Sequence, residues 1–205
     1  LSTLAELKQV RALHGKKERE ATGLFLVQGH KMVAELLASP FKTKAVFANA
    51  AAAGALAPLA KARQLPVHVL PEHEMERLGT FDSGNEVIAV VHQPAIASAE
   101  PAVEDELVLA MDRVGDPGNL GTVLRIADRF GVKRVLCGNG TVEVYNPKCV
   151  QASMGSILRV GVRYDELSDR LAVWQTKGVT IYLADGIGSN VFNTVLKRPA
   201  VLVLG

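Results

Sequence analysis

The sequence predicts an α/β fold built from two units. Short apolar runs alternate with stretches of helical periodicity, which is the pattern of strands joined through helices. Apolar residues make up 48% of the 205 residues and charged residues 21%, a composition that supports a buried core. A stretch rich in Pro and acidic residues interrupts the alternation near the middle of the chain. At roughly 150 residues per domain, this length allows one or two domains.

The first unit begins with an amphipathic helix. Leu4, Leu7 and Val10 repeat at helical spacing, which predicts a helix over 3–13. Residues 15–23 are polar and strongly charged, and no element is predicted there. Apolar runs then predict strands at 24–27, 45–47, 67–70 and 87–91, with helices from Met32 to before Pro40 and over 50–64.

A linker is predicted after the fourth strand. Residues 93–105 contain two prolines, small residues and acids without a sustained period. We therefore expect domains over 1–94 and 105–205, joined by a linker over 95–104.

The second unit resumes the alternation. Strands are predicted at 107–111, 134–136, 180–184 and 200–204, and the last two are nearly continuous apolar runs, as expected for strands covered on both faces. Helices are predicted at about 120–130, 146–154 and 165–176. Asn146 is expected to cap the second of these helices, with Pro147 at its first position.

Composition excludes several classes of protein. Two cysteines cannot build a disulfide framework or a four-ligand zinc site, and Cys137 is expected to be a buried free thiol. The five histidines are scattered, so we expect no metal site. No apolar stretch approaches the roughly 20 residues of a membrane span, and no signal pattern opens the chain. These features favour the reducing cytoplasm.

Positive charge is concentrated at the front of the chain. The formal net charge is only +2, but residues 1–44 carry eight Lys or Arg against four Asp or Glu. Such a basic region could contact a polyanion.

The segment 111–131 carries the most information about function. A buried strand leads into the turn Asp-Pro-Gly-Asn at 116–119 and then into a helix, with Thr122 as a possible cap. The predicted buried face of this helix consists of Val123, Ile126, Ala127 and Phe130. Arg125 points away from it, which leaves two interpretations: an ion pair with Asp128, or a role facing an anion or substrate. The glycine patterns of dinucleotide sites and P-loops are absent.

Segment 111–131, with its core Asp-Pro-x-Asn-x-Gly-x-x-x-Arg, resembles the first motif of SpoU/TrmH-type RNA 2′-O-methyltransferases of the knotted SPOUT class. Tyr-Asn-Pro-Lys at 145–148 and Ala-Ser-Met-Gly-Ser at 152–156 resemble the next segment of that family, and 201–205 resembles the opening of its second motif. Lys-Lys-x-Arg at 16–19 and Phe-Leu-Val-Gln-Gly at 25–29 resemble its L30e-like RNA-binding domain. The resemblance implies an L30e-like α/β domain followed by a SPOUT α/β domain with a C-terminal trefoil knot.

The sequence departs from the family pattern at two places. Gln28 stands where the family usually has Glu. The sequence also stops at Gly205, before the rest of the second motif and the third motif, so we expect the end that forms the knot to be missing from it.

The resemblance implies methyl transfer from S-adenosylmethionine to a ribose 2′-hydroxyl of structured RNA, with ribosomal RNA favoured over transfer RNA and a homodimer as the assembly. Arg125 would lower the pKa of the hydroxyl, and Asn119 would hold the nucleotide or Arg125. The other expected site residues are listed by role: the methyl donor at Ala184, Asp185, Gly186, Leu204 and Gly205; RNA at Arg11, Lys16, Lys17, Arg19 and Lys31; and the acceptor nucleotide at Ser153 and Gly155.

Simpler interpretations remain open for several of these residues. Asp185 and Gly186 could form an ordinary turn, Ser153 and Gly155 the end of a helix, and the basic residues a solvated surface. A non-catalytic RNA-binding protein that keeps the fold is the alternative function. A nucleotide-dependent oxidoreductase is disfavoured by the missing glycine pattern.

Overall fold

The computed structural model describes residues 4–94 and 107–205, which form two β-sheets flanked by helices. The predicted α/β class is confirmed. The predicted linker over 95–104 lies outside the described residues. No helix within the two described ranges has the length and hydropathy needed to cross a membrane.

The first sheet has four strands in the order β1-β4-β2-β3. Strand β4 runs antiparallel to β1 and β2, whereas β3 pairs with β2 in parallel. The elements of this half are α1 (Leu4–Ala12), α2 (Lys16–Thr22), β1 (Leu24–Gln28), α3 (His30–Ala38), β2 (Thr43–Ala48), α4 (Ala50–Ala62), β3 (Val67–Val69), α5 (Glu72–Leu78) and β4 (Val87–His92).

The second sheet has five strands in the order β7-β6-β5-β9-β8, and every pair is parallel. The carboxyl ends of its strands therefore lie along the same edge of the sheet. The elements are β5 (Leu107–Met111), α6 (Pro117–Arg129), β6 (Arg134–Cys137), α7 (Pro147–Ala152), β7 (Gly161–Tyr164), α8 (Leu167–Thr176), β8 (Thr180–Leu183) and β9 (Ala200–Leu204), with short 3-10 turns at Ser156–Leu158 and Val191–Asn193.

Side-chain caps fix where two helices of the second half begin. Asn146 accepts a hydrogen bond from the Lys148 backbone N–H, and Pro147 occupies the first turn, which confirms the predicted start of α7. In α6, however, the cap is Asp116 and not Thr122. Thr122 lies inside the helix, where its hydroxyl donates to the Gly118 carbonyl.

The buried face of α6 also differs from the prediction. Leu120, Gly121, Leu124 and Ala127 are buried, whereas Ile126 is 49% exposed and Phe130 is 78% exposed. Ala127 is buried as predicted and Val123 is partly buried against the core, but the prediction was wrong for Ile126 and Phe130. The helix starts at Pro117 and packs on α7 through Gly121, so the buried stripe lies about one position further round the helix.

One apolar core extends through both halves of the molecule. It contains residues of β1, α3 and β4 together with residues of β5, α6 and α7. At its centre the ring of Phe25 packs against Tyr145, with ring centroids 4.6 Å apart. Cys137 is buried as a free thiol, as predicted, and burial raises its pKa to about 12.

The close packing of α6 on α7 requires a glycine. A Cβ at Gly121 would lie 2.6 Å from the Ala152 Cβ and 2.7 Å from the Cys149 carbonyl oxygen. We expect Gly121→Ala to lower the free energy of unfolding by about 1–2 kcal/mol in chemical denaturation, because overpacking outweighs the better helix propensity of Ala.

Gly54→Ala in α4 is the matched control. A Cβ at Gly54 would meet no atom within 4 Å, so this substitution should raise the free energy of unfolding by about 0.5–1 kcal/mol. Equal stability of the two variants would contradict the packing described here.

Candidate active site and RNA interface

The predicted donor-binding residues lie together at one edge of the parallel sheet. Residues 184–186 follow β8, and Gly205 follows the neighbouring strand β9. The Ala184 N–H donates to the Val203 carbonyl at 3.0 Å, which holds the two strand ends side by side. Ligands of α/β sheets bind beyond the carboxyl ends of the strands, so this edge is the candidate cofactor site.

A close backbone approach at Gly205 belongs to the same edge. The Asp112 N–H, just after β5, donates to the Leu204 carbonyl at 2.8 Å. A Cβ at Gly205 would lie only 3.0 Å from the Asp112 carbonyl oxygen. A side chain at this position would therefore crowd the turn that leaves β5.

The turn before α6 reaches the edge from β5. Asp116 Oδ1 accepts from the Asn119 N–H at 2.9 Å, and Asp116 Oδ2 lies 3.1 Å from Lys148 Nζ. These two hydrogen bonds, the one from Asn119 first, hold the pKa of the Asp116 carboxyl below its usual value. The side chain of Asn119 itself is exposed.

Arg125 is exposed on α6, and it does not pair with Asp128. Asp128 instead forms an ion pair with Arg159 at 2.8 Å. Among residues 4–94 and 107–205, no ion pair of Arg125 is found. The interpretation of Arg125 as the ion-pair partner of Asp128 is therefore not supported. The guanidinium is available to an external anion.

The two predicted catalytic residues do not converge within one chain. Asn119 and Arg125 are six residues apart on α6, which separates them by about 9 Å along the helix and about 120° around it. Asn119 lies near the edge that carries the candidate cofactor site, whereas Arg125 lies further down the helix.

Arg19 is not an RNA ligand, which corrects the prediction. Its side chain is 2% exposed and forms an ion pair with Glu143 of the second half, at 2.6 Å between Nη2 and Oε2. Its Nη1 donates to the carbonyls of Leu13 and His14, each at 2.8 Å. These partners leave the guanidinium no access to a phosphate. Sequence reasoning missed this role because the partner is remote in the chain.

The other predicted RNA ligands are exposed. Arg11 lies on α1, and Lys16 and Lys17 open α2. Lys16 forms an exposed ion pair with Glu20 at 3.5 Å, an interaction that phosphate can readily replace. Lys31 lies in the first turn of α3.

Ser153 and Gly155 do not face an acceptor nucleotide, a second correction. Ser153 is fully buried, and its hydroxyl donates to the Val150 carbonyl at 2.7 Å. Gly155 is buried with φ of +88°, and a Cβ there would collide with the carboxylate of Glu35 in α3. Ser153 therefore forms the end of α7, the simpler interpretation left open by the sequence, and Gly155 belongs to the contact between the two halves of the molecule.

The amide of Gln28 explains the departure from the Glu of the family. Its Oε1 accepts from the N–H and the hydroxyl of Thr80, at 3.0 and 2.9 Å. Its Nε2 donates to the Ser83 carbonyl and to Asn85 Oδ1. A carboxylate could not make the two donor contacts, so Gln28 is matched to the loop that it holds.

No group of three or more His, Cys, Asp or Glu side chains that could hold a metal ion occurs within the described part of the chain.

Two family models match the chain. The SpoU rRNA Methylase family matches residues 106–205, and the MRM3-like substrate binding domain matches residues 5–89. The chain is 30% identical to the 23S rRNA (guanosine(2553)-2′-O)-methyltransferase RlmP of Bacillus subtilis over 177 residues, which cover 86% of this chain and 68% of that protein.

Solved structures agree with these matches. A TrmH-family protein from Porphyromonas gingivalis superposes with a TM-score of 0.86 and 34% identity, over 100% of this chain and 81% of that one. An AdoMet-bound rRNA methyltransferase from Sinorhizobium meliloti superposes with a TM-score of 0.84 and 27% identity, over 100% of this chain and 80% of that one.

Because Arg19 is buried, its structural role can be tested by comparing the stability of an Arg19 variant with that of a Lys17 variant. Arg19→Gln leaves Glu143 half-buried without its partner, so the free energy of unfolding should fall by about 3–5 kcal/mol in chemical denaturation. Lys17→Gln should leave stability within about 0.5 kcal/mol, because Lys17 is exposed.

RNA binding tests whether Lys17 contacts a phosphate. Lys17→Gln should reduce the salt dependence of RNA affinity by about one unit of the log–log slope, as expected for the loss of one phosphate contact. An Arg19→Gln protein that keeps wild-type stability would show that the buried ion pair does not form.

Proposed function

Because the chain belongs to the SpoU rRNA methylase family, we propose that it transfers a methyl group from S-adenosylmethionine to a ribose 2′-hydroxyl of ribosomal RNA. The observation that carries the proposal is the sheet edge where the ends of β8 and β9 meet the capped turn before α6. The named relatives favour ribosomal over transfer RNA. The bacterial relatives favour a cytoplasmic location.

The residues at this edge fit the methyl donor. S-adenosylmethionine supplies an electrophilic methyl group on a sulfonium. Ala184, Asp185 and Gly186 on one loop and Leu204 and Gly205 on the next would hold it, mainly through backbone groups. The close approach of Gly205 to Asp112 supports this assignment, because a larger residue would narrow the space between the strand ends.

Positioning and charge stabilisation are the tasks left to the protein. The 2′-hydroxyl oxygen must approach the methyl carbon in line with the bond that breaks, and negative charge develops on that oxygen. Arg125 would stabilise this charge through its exposed guanidinium. Since an arginine stays protonated in proteins, the proton of the hydroxyl passes to another acceptor, such as a phosphate or a water. Asn119 would hold the nucleotide or Arg125 in place.

The first half of the molecule would bind the RNA. Arg11, Lys16, Lys17 and Lys31 are exposed there, and neutralising phosphates with them would make binding sensitive to salt. We assign this role to an L30e-like domain over 1–94, joined through 95–104 to a SPOUT domain over 105–205. The match of residues 5–89 to a substrate-binding domain supports the division of labour.

A homodimer completes the proposal. Ile126, which follows Arg125 on α6, and Phe130, which caps the end of that helix, expose apolar surface. A second copy that covers this surface would place its own residues next to Arg125. This arrangement would also answer why Asn119 and Arg125 do not converge within one chain.

Arg125→Lys tests the catalytic assignment. We expect kcat for methylation of a 23S rRNA transcript to fall by about 10²–10³-fold, because an ammonium lacks the planar fork of donors. The affinity for S-adenosylmethionine in calorimetry should stay within about twofold. Arg129→Lys, another exposed position of α6, is the control and should keep wild-type kcat.

Near-wild-type turnover in Arg125→Lys would refute the role of this residue. Binding of RNA by the wild type without any methyl transfer would instead favour the non-catalytic alternative.

The dimer is tested by sedimentation. We expect the wild type to sediment as a dimer at micromolar concentration, and Phe130→Glu to shift it towards monomer by burying a charge in the interface. Val173→Glu on α8, where the wild-type side chain is also exposed, should leave the dimer intact. A monomeric wild type, or equal effects of both variants, would contradict the assignment of this face.

A further inference from the structure

One guanidinium connects the helices that carry the two proposed functions. Arg159 follows the 3-10 turn at Ser156–Leu158. Its Nε donates to Asp128 Oδ2 on α6 at 2.8 Å, and its Nη1 lies 3.3 Å from Glu35 Oε2 on α3. Helix α6 belongs to the second half of the molecule and α3 to the first.

The neighbours of Arg159 are fitted to the same two carboxylates. The Ser156 hydroxyl donates to Asp128 Oδ2 at 3.0 Å. Gly155 has φ of +88° and leaves the space that the Glu35 carboxylate occupies. The segment Gly-Ser-x-x-Arg therefore forms a joint, which we define as Gly155, Ser156 and Arg159 with Glu35 and Asp128.

Each carboxylate of the joint lies on its helix next to a basic residue assigned above. Lys31 precedes Glu35 by four residues on α3, and Arg125 precedes Asp128 by three on α6. Residues at these spacings share a helix face. The joint thus connects the surface proposed to bind an RNA phosphate with the surface proposed to meet the 2′-hydroxyl.

We propose that Arg159 is a positioning residue, which keeps α6 with Arg125 in a fixed orientation to α3 with Lys31. The inference rests on the proposed function for the roles of Lys31 and Arg125. Its physical basis is geometric: methyl transfer requires the sugar oxygen in line with the methyl group, and small displacements of a positioned substrate lower the rate strongly.

The joint does not serve to attach the two halves to each other. The shared apolar core and the buried pair of Arg19 and Glu143 already do so. The side chain of Arg159 is 47% exposed, and ion pairs of such exposure contribute little to stability. An effect on kcat that exceeds the effect on stability therefore distinguishes positioning from a structural role.

Three single variants test the proposal. We expect Arg159→Gln to lower kcat by about tenfold and Glu35→Gln by about threefold, with KM for RNA and Kd for S-adenosylmethionine within about twofold. Arg163→Gln is the matched control, because its ion pair with Asp165 at 3.1 Å stays within the second half. The melting temperatures of all three should lie within about 4 °C of wild type.

The double variant Arg159→Gln/Glu35→Gln should be no slower than Arg159→Gln alone, since both changes break one contact. Wild-type kcat in Glu35→Gln would overturn the proposal, because the rate effect would then belong to Asp128 alone. A loss of rate in Arg163→Gln equal to that in Arg159→Gln would also overturn it.

Hydrogen exchange gives a measurement that does not depend on methyl transfer. Glu35→Gln lies in the first half, yet it should speed amide exchange in the peptide covering α6 by at least about twofold, while Arg163→Gln should not. If the wild type transfers no methyl group, the proposed function fails, and this measurement still decides the joint. Unchanged exchange of α6 in Glu35→Gln would overturn it.

Discussion

A shared apolar core holds the two sheets in one packed unit, and in it Phe25 of the first half contacts Tyr145 of the second. Phe25 lies in the middle of β1 and is fully buried, and Tyr145 directly precedes the cap of α7. Helix α7 in turn packs against α6 at Gly121. A continuous path of apolar contacts thus runs from the first sheet to the helix that carries Arg125. Burial raises the pKa of the Tyr145 phenol to about 12, which is consistent with a neutral ring inside this core. The first half of the molecule is therefore part of the same packed unit as the candidate active site.

Arg19 and Arg125 lie in opposite environments, and the difference agrees with the proposed functions. Arg19 is enclosed, and its donors are matched by a carboxylate and two carbonyls, as a buried charge requires. Arg125 is left exposed on a helix whose nearest carboxylate, Asp128, is taken by Arg159. Because Asp128 pairs with Arg159, it does not neutralise the charge of Arg125. The joint around Arg159 thus has an electrostatic consequence for Arg125 besides its geometric one.

Much of the fold could be predicted from local patterns. Eight of the nine described strands read as short apolar runs, and the Pro that follows a capping side chain marked the start of α7. Helix α2 was missed because its buried residue is Arg19, whose burial depends on Glu143 far away in the chain. Strand β7, Gly-Val-Arg-Tyr, was missed because an edge strand that is only partly buried needs no apolar run. The linear motif pointed to Asn119 and Arg125, whose catalytic roles stay a prediction, and the strand order places residues 184–186 beside Gly205. Gly155 was misplaced because its neighbour Glu35 comes from α3, which no local pattern reveals, whereas Ser153 ends α7, as the simpler interpretation of that residue had it.

The burial of both cysteine thiols has a practical consequence for chemical labelling. Cys137 and Cys149 have no exposed surface, and burial raises the pKa of each to about 12. Because thiolates are the reactive species, neither should be alkylated at neutral pH while the protein is folded. A cysteine introduced on the outer face of α3 or α6 would then be the single reactive thiol of this chain. Fluorophores or cross-linkers could be attached there without first removing the natural cysteines.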